Sequence, residues 1–186
     1  RIADLRSPHG HGVDLAEFFT EMEREITRWY RNTLRKAGYR GLISNFNMNK
    51  LYRAMLSRSE SDLVTMNSYH AHPSNYNQPG SSIMQTSSID NAGNQIRGIV
   101  SSAIYEKPFV ITEHAHAFWN RYRYEQAFVT GAYSAFQGFD GLTAFAQPVS
   151  VHKTSYINPF NIRFDPIGRS QEFLTAFIFL RGDVRE

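Results

Sequence analysis

The chain has 186 residues, of which 41% are hydrophobic and 20% charged, a balance typical of a globular domain with a real core. It contains no cysteine, which excludes disulfides, thiolate metal sites and a cysteine nucleophile. The net charge of +3 is too small to favour nucleic acid, and the apolar runs are far shorter than the ~20 residues of a membrane span. We therefore expect one domain over residues 1–186, with neither a nucleic-acid nor a membrane partner.

The first predicted element is a long helix that begins at a capping box formed by Asp14 and Glu17 and stops at Gly38. Its apolar residues recur every three or four positions, so they share one face, which is expected to be buried. That stripe consists of Leu15, Phe18, Phe19, Met22, Ile26, Trp29 and Leu34. Four arginines lie on the other side among glutamates, which favours a solvated outer face over an anion-binding patch. They are Arg24, Arg28, Arg31 and Arg35.

Four short apolar runs follow, and each is predicted to be a buried strand of a parallel sheet. They lie at residues 42–46, 63–67, 109–112 and 141–145. A helix is predicted after each strand, the last one capped by Asp165 and Pro166 and ended by Gly182. The helix over 127–136 is rich in small residues and is expected to pack closely on the sheet. The long polar segment 74–94 favours a functional lid.

This alternation of strands and helices, with no hairpin turn, predicts an α/β fold with right-handed crossovers. A doubly wound sheet commonly has a glycine-rich first turn, which the sequence lacks. A (β/α)8 barrel of the TIM type needs eight strand–helix units, whereas the pattern supplies four. The sequence therefore predicts half of such a barrel.

Glu113 is the first candidate for chemistry. It follows the apolar run Phe109, Val110 and Ile111, where a buried strand is expected to emerge. A carboxylate in that position loses solvation, which costs free energy unless the group is paired or used. A buried salt bridge to Arg121 or Arg123 is the structural alternative to a catalytic role.

Three histidine pairs with a spacing of two residues suggest a different function, namely metal binding. In extended backbone such a spacing places both rings on one side, so each pair could bind a metal ion. The pairs are His9 with His11, His70 with His72, and His114 with His116. A metal-dependent hydrolase on the same barrel, with Glu113 beside Zn²⁺, is therefore kept as an alternative function, although we expect no metal and no cofactor.

Several segments together resemble the clan A retaining glycoside hydrolases, in particular the β-galactosidase- and β-agarase-like members. The segments are LISNFN at 42–47, DLVTMNSYHAHP at 62–73, PFVITEHAHAFWNRYRYEQAF at 108–128, GAYSAFQGFDGLTAF at 131–145 and FLRGDV at 179–184. They are similar to strands five through eight of the catalytic barrel. The third segment is the most specific, because strand, glutamate, aromatic-rich loop and helix follow in the same order.

The resemblance implies that Glu113 is the nucleophile of a double-displacement mechanism on an oligo- or polysaccharide. It also implies that Tyr69 or His70, at the end of the preceding strand, orients the nucleophile. Candidate substrate-binding residues are Asn45, Asn47, Asn67, His114, Trp119, Asn120, Arg121 and Phe145, of which Trp119 or Phe145 would be the stacking platform.

Retaining enzymes need a second carboxyl group as acid and base, and the resemblance places it on a fourth barrel strand preceding these segments. The isolated chain is then expected to be inactive, and to pair with a missing amino-terminal half barrel or with a second copy of itself. The parent protein would be secreted or periplasmic. The third hypothesis is that the chain is a non-catalytic carbohydrate-binding fragment.

Overall fold

The computed structural model of the protein describes residues 11–48, 52–76, 78–146 and 157–184. Within these ranges a parallel sheet has three strands in the order β1 (Val64–His70), β2 (Phe109–His116) and β3 (Gly141–Ala144). β2 pairs with β3 in parallel, with Val110 opposite Gly141 and His114 opposite Ala144. The apolar, β-branched runs predicted at these three places do form strands.

The half (β/α)8 barrel predicted from the sequence is wrong, because the described residues form an open sheet of three strands with five helices. The predicted strand at 42–46 is irregular. The Ile43 amide donates to the carboxylate of Asp62 at 3.1 Å, and the Asp62 amide donates to the Ile43 carbonyl at 2.8 Å. These bonds satisfy the main chain locally, and so it does not extend the sheet.

The chain divides into two compact units, residues 1–65 with 102–109, and residues 66–101 with 110–186. The first unit contains α1 (His11–Lys36) and α2 (Tyr52–Arg58). The second contains α3 (Asn94–Val100), α4 (Ala132–Phe136) and α5 (Pro166–Arg181), together with most of the sheet. No helix in the described ranges is long and apolar enough to cross a membrane.

The orientation predicted for α1 is wrong. Its arginines face carboxylates of their own unit: Arg24 and Arg28 bind Glu60 at 2.8 and 3.0 Å, and Arg31 binds Asp62 at 2.8 Å. Burial alone would raise the pKa of Asp62, but hydrogen bonds from Arg31 and from the Ile43 amide outweigh it and lower that pKa. The basic face is therefore fixed by ion pairs, and the apolar stripe faces solvent, with Trp29 67% exposed.

The ends of α5 follow their local sequence as predicted. The Asp165 side chain caps the helix by accepting from the Ile167 amide, Pro166 occupies the first turn, and Gly182 ends the helix with φ of 65°. The small residues before α4 lie in a π-helical turn, Ala127–Gly131. A Cβ on Gly131 would lie 3.2 Å from the Thr175 backbone, so the close approach is to α5 and not to the sheet.

Candidate functional site

Glu113 lies near the carboxyl end of the central strand β2 and is half-buried. The hydroxyl of Tyr69, on the neighbouring strand β1, donates a hydrogen bond to its Oε2. Burial, and then the adjacent carboxylate, raises the pKa of Tyr69 far above its usual value. The phenol therefore stays protonated and remains a donor, which holds the carboxylate in one orientation.

Aromatic rings pack around Tyr69, and we call the group the aromatic cage. It consists of Tyr69, His72, Tyr76, Phe145 and Phe160. The Tyr69 ring lies 5.3 Å from Phe160 and 6.1 Å from both His72 and Phe145, in edge-to-face geometry. Phe160 is buried, whereas Phe145 and Tyr76 are 39% and 58% exposed. The cage thus combines a buried ring, that of Phe160, with aromatic side chains that are open to solvent.

Sequence reasoning missed two members of the cage. Tyr76 lies in the polar loop that follows β1, and Phe160 lies in an irregular stretch before α5. Neither position belongs to a periodic pattern, so periodicity carried no signal for them. The only clue was the aromatic residue type beside proline, as in the run Asn158, Pro159 and Phe160.

His70 does not share the contact that Tyr69 makes. Its Nε2 lies 2.9 Å from the carbonyl of Thr86, and its ring lies 5.0 Å from the ring of His116. The Nε2 of His116 in turn lies 2.9 Å from Ser88 Oγ. Both rings therefore bind the loop that follows β1, away from the carboxylate of Glu113.

The histidine pairs do not assemble a metal centre in the part of the chain that the structure describes. No group of three or more His, Cys, Asp or Glu side chains there could hold an ion. His9 lies outside the described residues. Burial, together with the neighbouring His70 and His114, keeps the pKa of His116 well below its usual value.

Glu125 anchors the long loop for which a lid was predicted. Its carboxylate is 4% exposed and accepts hydrogen bonds from the hydroxyls of Ser87 and Ser88 and from the amides of Ser88 and Ile89, at 2.7 to 3.1 Å. Burial alone would raise the pKa of Glu125, but these hydrogen bonds, led by that from Ser87, lower it. Residues 87–89 are therefore held in place within the second unit by the buried charge of Glu125.

Three predicted substrate-binding residues follow β2 directly. Asn120 is fully buried and its Nδ2 donates to the carbonyls of Met84 and Thr86 at 2.7 and 3.1 Å, so it also holds the loop. Trp119 is half-buried and packs against a core cluster that includes Phe160. Arg121 is exposed, with its guanidinium 4.9 Å from the ring centre of Tyr122. Of these three, Arg121 has the most accessible side chain.

The structure does not bring together the three asparagines that were predicted to bind substrate at the strand ends. Asn45 Nδ2 donates to Thr27 Oγ1 at 3.2 Å, and Asn47 lines a hollow beside α1, so both belong to the first unit. Asn67 accepts from Thr112 Oγ1 at 2.9 Å within the sheet. The hydrogen bonds of Asn45 and Asn67 thus have local structural roles within their own units.

His114, also predicted to bind substrate, lines a different pocket. This pocket, of about 380 Å³, lies between β3 and α5, and it is also lined by Glu172. The His114 Nε2 and Glu172 Oε2 are 3.8 Å apart, beyond hydrogen-bond distance. Burial lowers the pKa of His114 to about 4 and raises the pKa of Glu172 to about 7. Between about pH 4 and pH 7 the two groups are therefore a neutral pair and not a salt bridge.

We expect Glu172→Gln to stabilise the second unit in alkaline solution. Because folding raises the pKa of Glu172 from 4.5 to about 7, the wild type loses stability as pH rises through that window. The amide keeps the oxygen that accepts from Gln126 and removes the buried charge. At pH 8 the variant should be more stable by on the order of 2 kcal/mol.

Urea unfolding at pH 5 and pH 8 measures this effect, followed by the fluorescence of Trp119 in a Trp29→Phe background. The exposed Glu17→Gln is the matched control and should show no pH-dependent difference. An equal effect of Glu172→Gln at both pH values would contradict the expectation.

Comparison with protein-family models, with curated proteins and with solved structures found no match to this chain.

Proposed function

We propose that this chain carries the nucleophile of a retaining glycoside hydrolase acting on an oligo- or polysaccharide, with Glu113 as that nucleophile. The observation that supports it is the hydrogen bond from Tyr69, a member of the aromatic cage, to Glu113 on the neighbouring strand. A carboxylate that is half-buried, held by one phenol and reachable from solvent suits attack on a bound molecule. The resemblance of residues 108–128 to the clan A glycosidases leads to the same residue.

In the reaction, a carboxylate oxygen of Glu113 attacks the anomeric carbon, and the bond from that carbon to the leaving oxygen breaks. The leaving oxygen takes the electron pair and needs a proton from a second carboxyl group, which stands about 5 to 5.5 Å from the nucleophile in retaining enzymes. Water then hydrolyses the glycosyl ester. Glu113 supplies the nucleophile of this pair, and another carboxyl group must supply the proton.

The aromatic cage provides the binding surface that a sugar requires. Sugar rings have apolar C–H faces that stack on aromatic rings, while their hydroxyls bind polar groups at the edge. Phe145 and Tyr76 present exposed ring faces, and Arg121 supplies an exposed guanidinium. Tyr69 acts as a positioning residue, because its hydroxyl is already committed to Glu113.

A covalent probe with a good leaving group tests this role without requiring a proton donor. We expect a 2-deoxy-2-fluoro glycoside of 2,4-dinitrophenol to glycosylate Glu113, because dinitrophenolate leaves with its electron pair unprotonated. The fluorine slows hydrolysis of the ester, so the adduct accumulates. Intact mass spectrometry should show one added fluoroglycosyl group, and peptide mapping should place it within residues 108–128. Galacto- and gluco-configured probes compare two sugar classes.

Binding without chemistry is measured separately. Isothermal titration with agarose- and cellulose-derived hexasaccharides reports whether the cage holds sugar at all. Saturable binding together with no adduct would mean a non-catalytic carbohydrate-binding role, and an adduct on any other residue would contradict the assignment of Glu113.

A further inference from the structure

Helix α1 presents a long apolar stripe to solvent. The stripe consists of Leu15, Phe18, Phe19, Met22, Ile26 and Trp29, and each of them is at least 39% exposed. The two largest contributions are from Phe18, 60% exposed, and Trp29, 67% exposed. Soluble proteins rarely leave so many large apolar side chains contiguous and uncovered, and such a surface marks an interaction site.

The helix cannot turn this stripe inward at low cost. Its opposite face is bound by six arginine–carboxylate contacts to Glu60 and Asp62, from Arg24, Arg28, Arg31 and Arg35. The side chains of Glu60 and Asp62 are only 21% and 12% exposed, so breaking these contacts would leave charges poorly solvated. The outward direction of the stripe is therefore fixed by the fold of the first unit.

The spacing within the stripe is that of a helix-pair seam. Leu15, Phe19, Met22, Ile26 and Trp29 alternate intervals of four and three residues, which is the a/d pattern of a coiled coil. A partner helix with the same pattern would therefore fit the stripe along its whole length. Large side chains bury roughly 150–250 Å² each, so six that are half exposed offer on the order of 600 Å². That matches the low end of stable interfaces, roughly 600–1,000 Å² per partner.

We propose that this stripe docks onto the same stripe of a second copy of the chain, with the two α1 helices antiparallel. The distribution of charge along α1 favours a second copy as the partner and favours the antiparallel orientation of the two helices. Residues 11–25 carry five carboxylates and one arginine, a net charge of −4, whereas residues 26–40 carry five basic residues and no acidic one, a net charge of +5. Glu60 and Asp62 offset two of those positive charges, which leaves +3.

Antiparallel pairing places the acidic half of each helix beside the basic half of the other. Parallel pairing places like charges together along the whole seam, which is unfavourable within a Debye length of ~8–10 Å. An antiparallel pair is symmetric about a point near Met22, so the same surface on both copies is self-complementary.

Sedimentation velocity of the full chain over a concentration series tests the association. We expect a reversible dimer whose dissociation constant rises at least ~10-fold in Phe18→Glu/Trp29→Glu, because two charges would be buried in the seam. The matched control is Tyr105→Glu, since Tyr105 is 90% exposed and is not part of α1, and it should change the constant less than ~2-fold. A monomer at about 100 µM, or a dimer that survives the double substitution, would overturn the proposal.

Because the chain contains no native cysteine, disulfide trapping can test whether the two α1 helices are antiparallel. In an antiparallel pair centred near Met22, Leu15 of one copy faces Trp29 of the other within the seam. We expect a mixture of Leu15→Cys and Trp29→Cys chains to form the mixed disulfide under mild oxidation, whereas Leu15→Cys alone should not cross-link. Cross-linking of Leu15→Cys with itself would show a parallel pair and would overturn the antiparallel arrangement.

Discussion

Replacing Glu113 with glutamine is expected to reduce the rate of covalent labelling by the dinitrophenyl fluoroglycosides at least about 1,000-fold. A neutral amide is a far poorer nucleophile than a carboxylate, and the glycosyl ester cannot form on it. The fold should survive, because the amide oxygen still accepts the hydrogen bond from Tyr69. Time courses of adduct formation by mass spectrometry, beside thermal unfolding of the same samples, measure both quantities.

Two further variants separate a lost nucleophile from a disturbed site. Tyr69→Phe removes only the donor to Glu113, and a hydrogen bond to a charged group is worth about 1.5–3 kcal/mol, so labelling should slow by roughly 10- to 150-fold. Azide added to Glu113→Ala should restore release of dinitrophenolate from the activated glycoside, because the small anion can enter the space left by the shortened side chain and attack the anomeric carbon in place of the carboxylate. Labelling of Glu113→Gln at the wild-type rate would exclude Glu113 as the nucleophile.

Replacing Glu125 with glutamine is expected to destabilise the second unit by about 2–4 kcal/mol at pH 7. The carboxylate accepts from two hydroxyls and two amides of residues 87–89, and an amide group would direct N–H bonds at some of those donors. The loop over 83–89 should then open more often, and the carbonyls that Asn120 binds belong to this loop. Urea unfolding followed by Trp119 fluorescence measures the loss.

The pH dependence gives an independent test of Glu125. Folding lowers its pKa below the ordinary value of 4.5, so its stabilising contribution is fully present above pH 4.5 and is lost as pH falls through the folded-state pKa. Wild type should therefore lose stability below about pH 4.5, and Glu125→Gln should lose less. Hydrogen exchange of the amides of Ser88 and Ile89 should speed up in the variant at pH 7. The exposed Glu106→Gln is the control, and protected amides in Glu125→Gln would contradict the anchoring role.

The local sequence was sufficient to predict several elements correctly. Asp165, Pro166 and Gly182 act through hydrogen bonds and backbone angles within one or two turns, so the ends of α5 were predicted correctly. The apolar runs of β2 and β3 were also predicted correctly, since a buried strand requires such side chains wherever it lies. In contrast, the strand predicted at 42–46 was wrong. The backbone of Ile43 is hydrogen-bonded to Asp62, which is 19 residues away in the sequence, so no local pattern indicates this contact.

The orientation of α1 could not be obtained from periodicity. The pattern identifies which residues share a face, but not which face the rest of the protein covers. The deciding contacts join Arg24 to Glu60 and Arg31 to Asp62, pairs that are 36 and 31 residues apart in sequence. Only folding of the first unit brings these charges together, and it leaves the apolar stripe outside.

For the candidate site, the sequence by itself determined that a carboxylate ends the apolar run of β2, and that Tyr69 and His70 end the preceding strand. The tertiary structure decided between those two residues. Successive side chains of a strand point to opposite faces of the sheet, so only one of two neighbours can reach Glu113. The Tyr69 hydroxyl binds Glu113, whereas His70 binds the loop at Thr86. The aromatic cage also depended on the tertiary structure, because its rings come from three segments, residues 69–76, Phe145 and Phe160, that are far apart in the sequence.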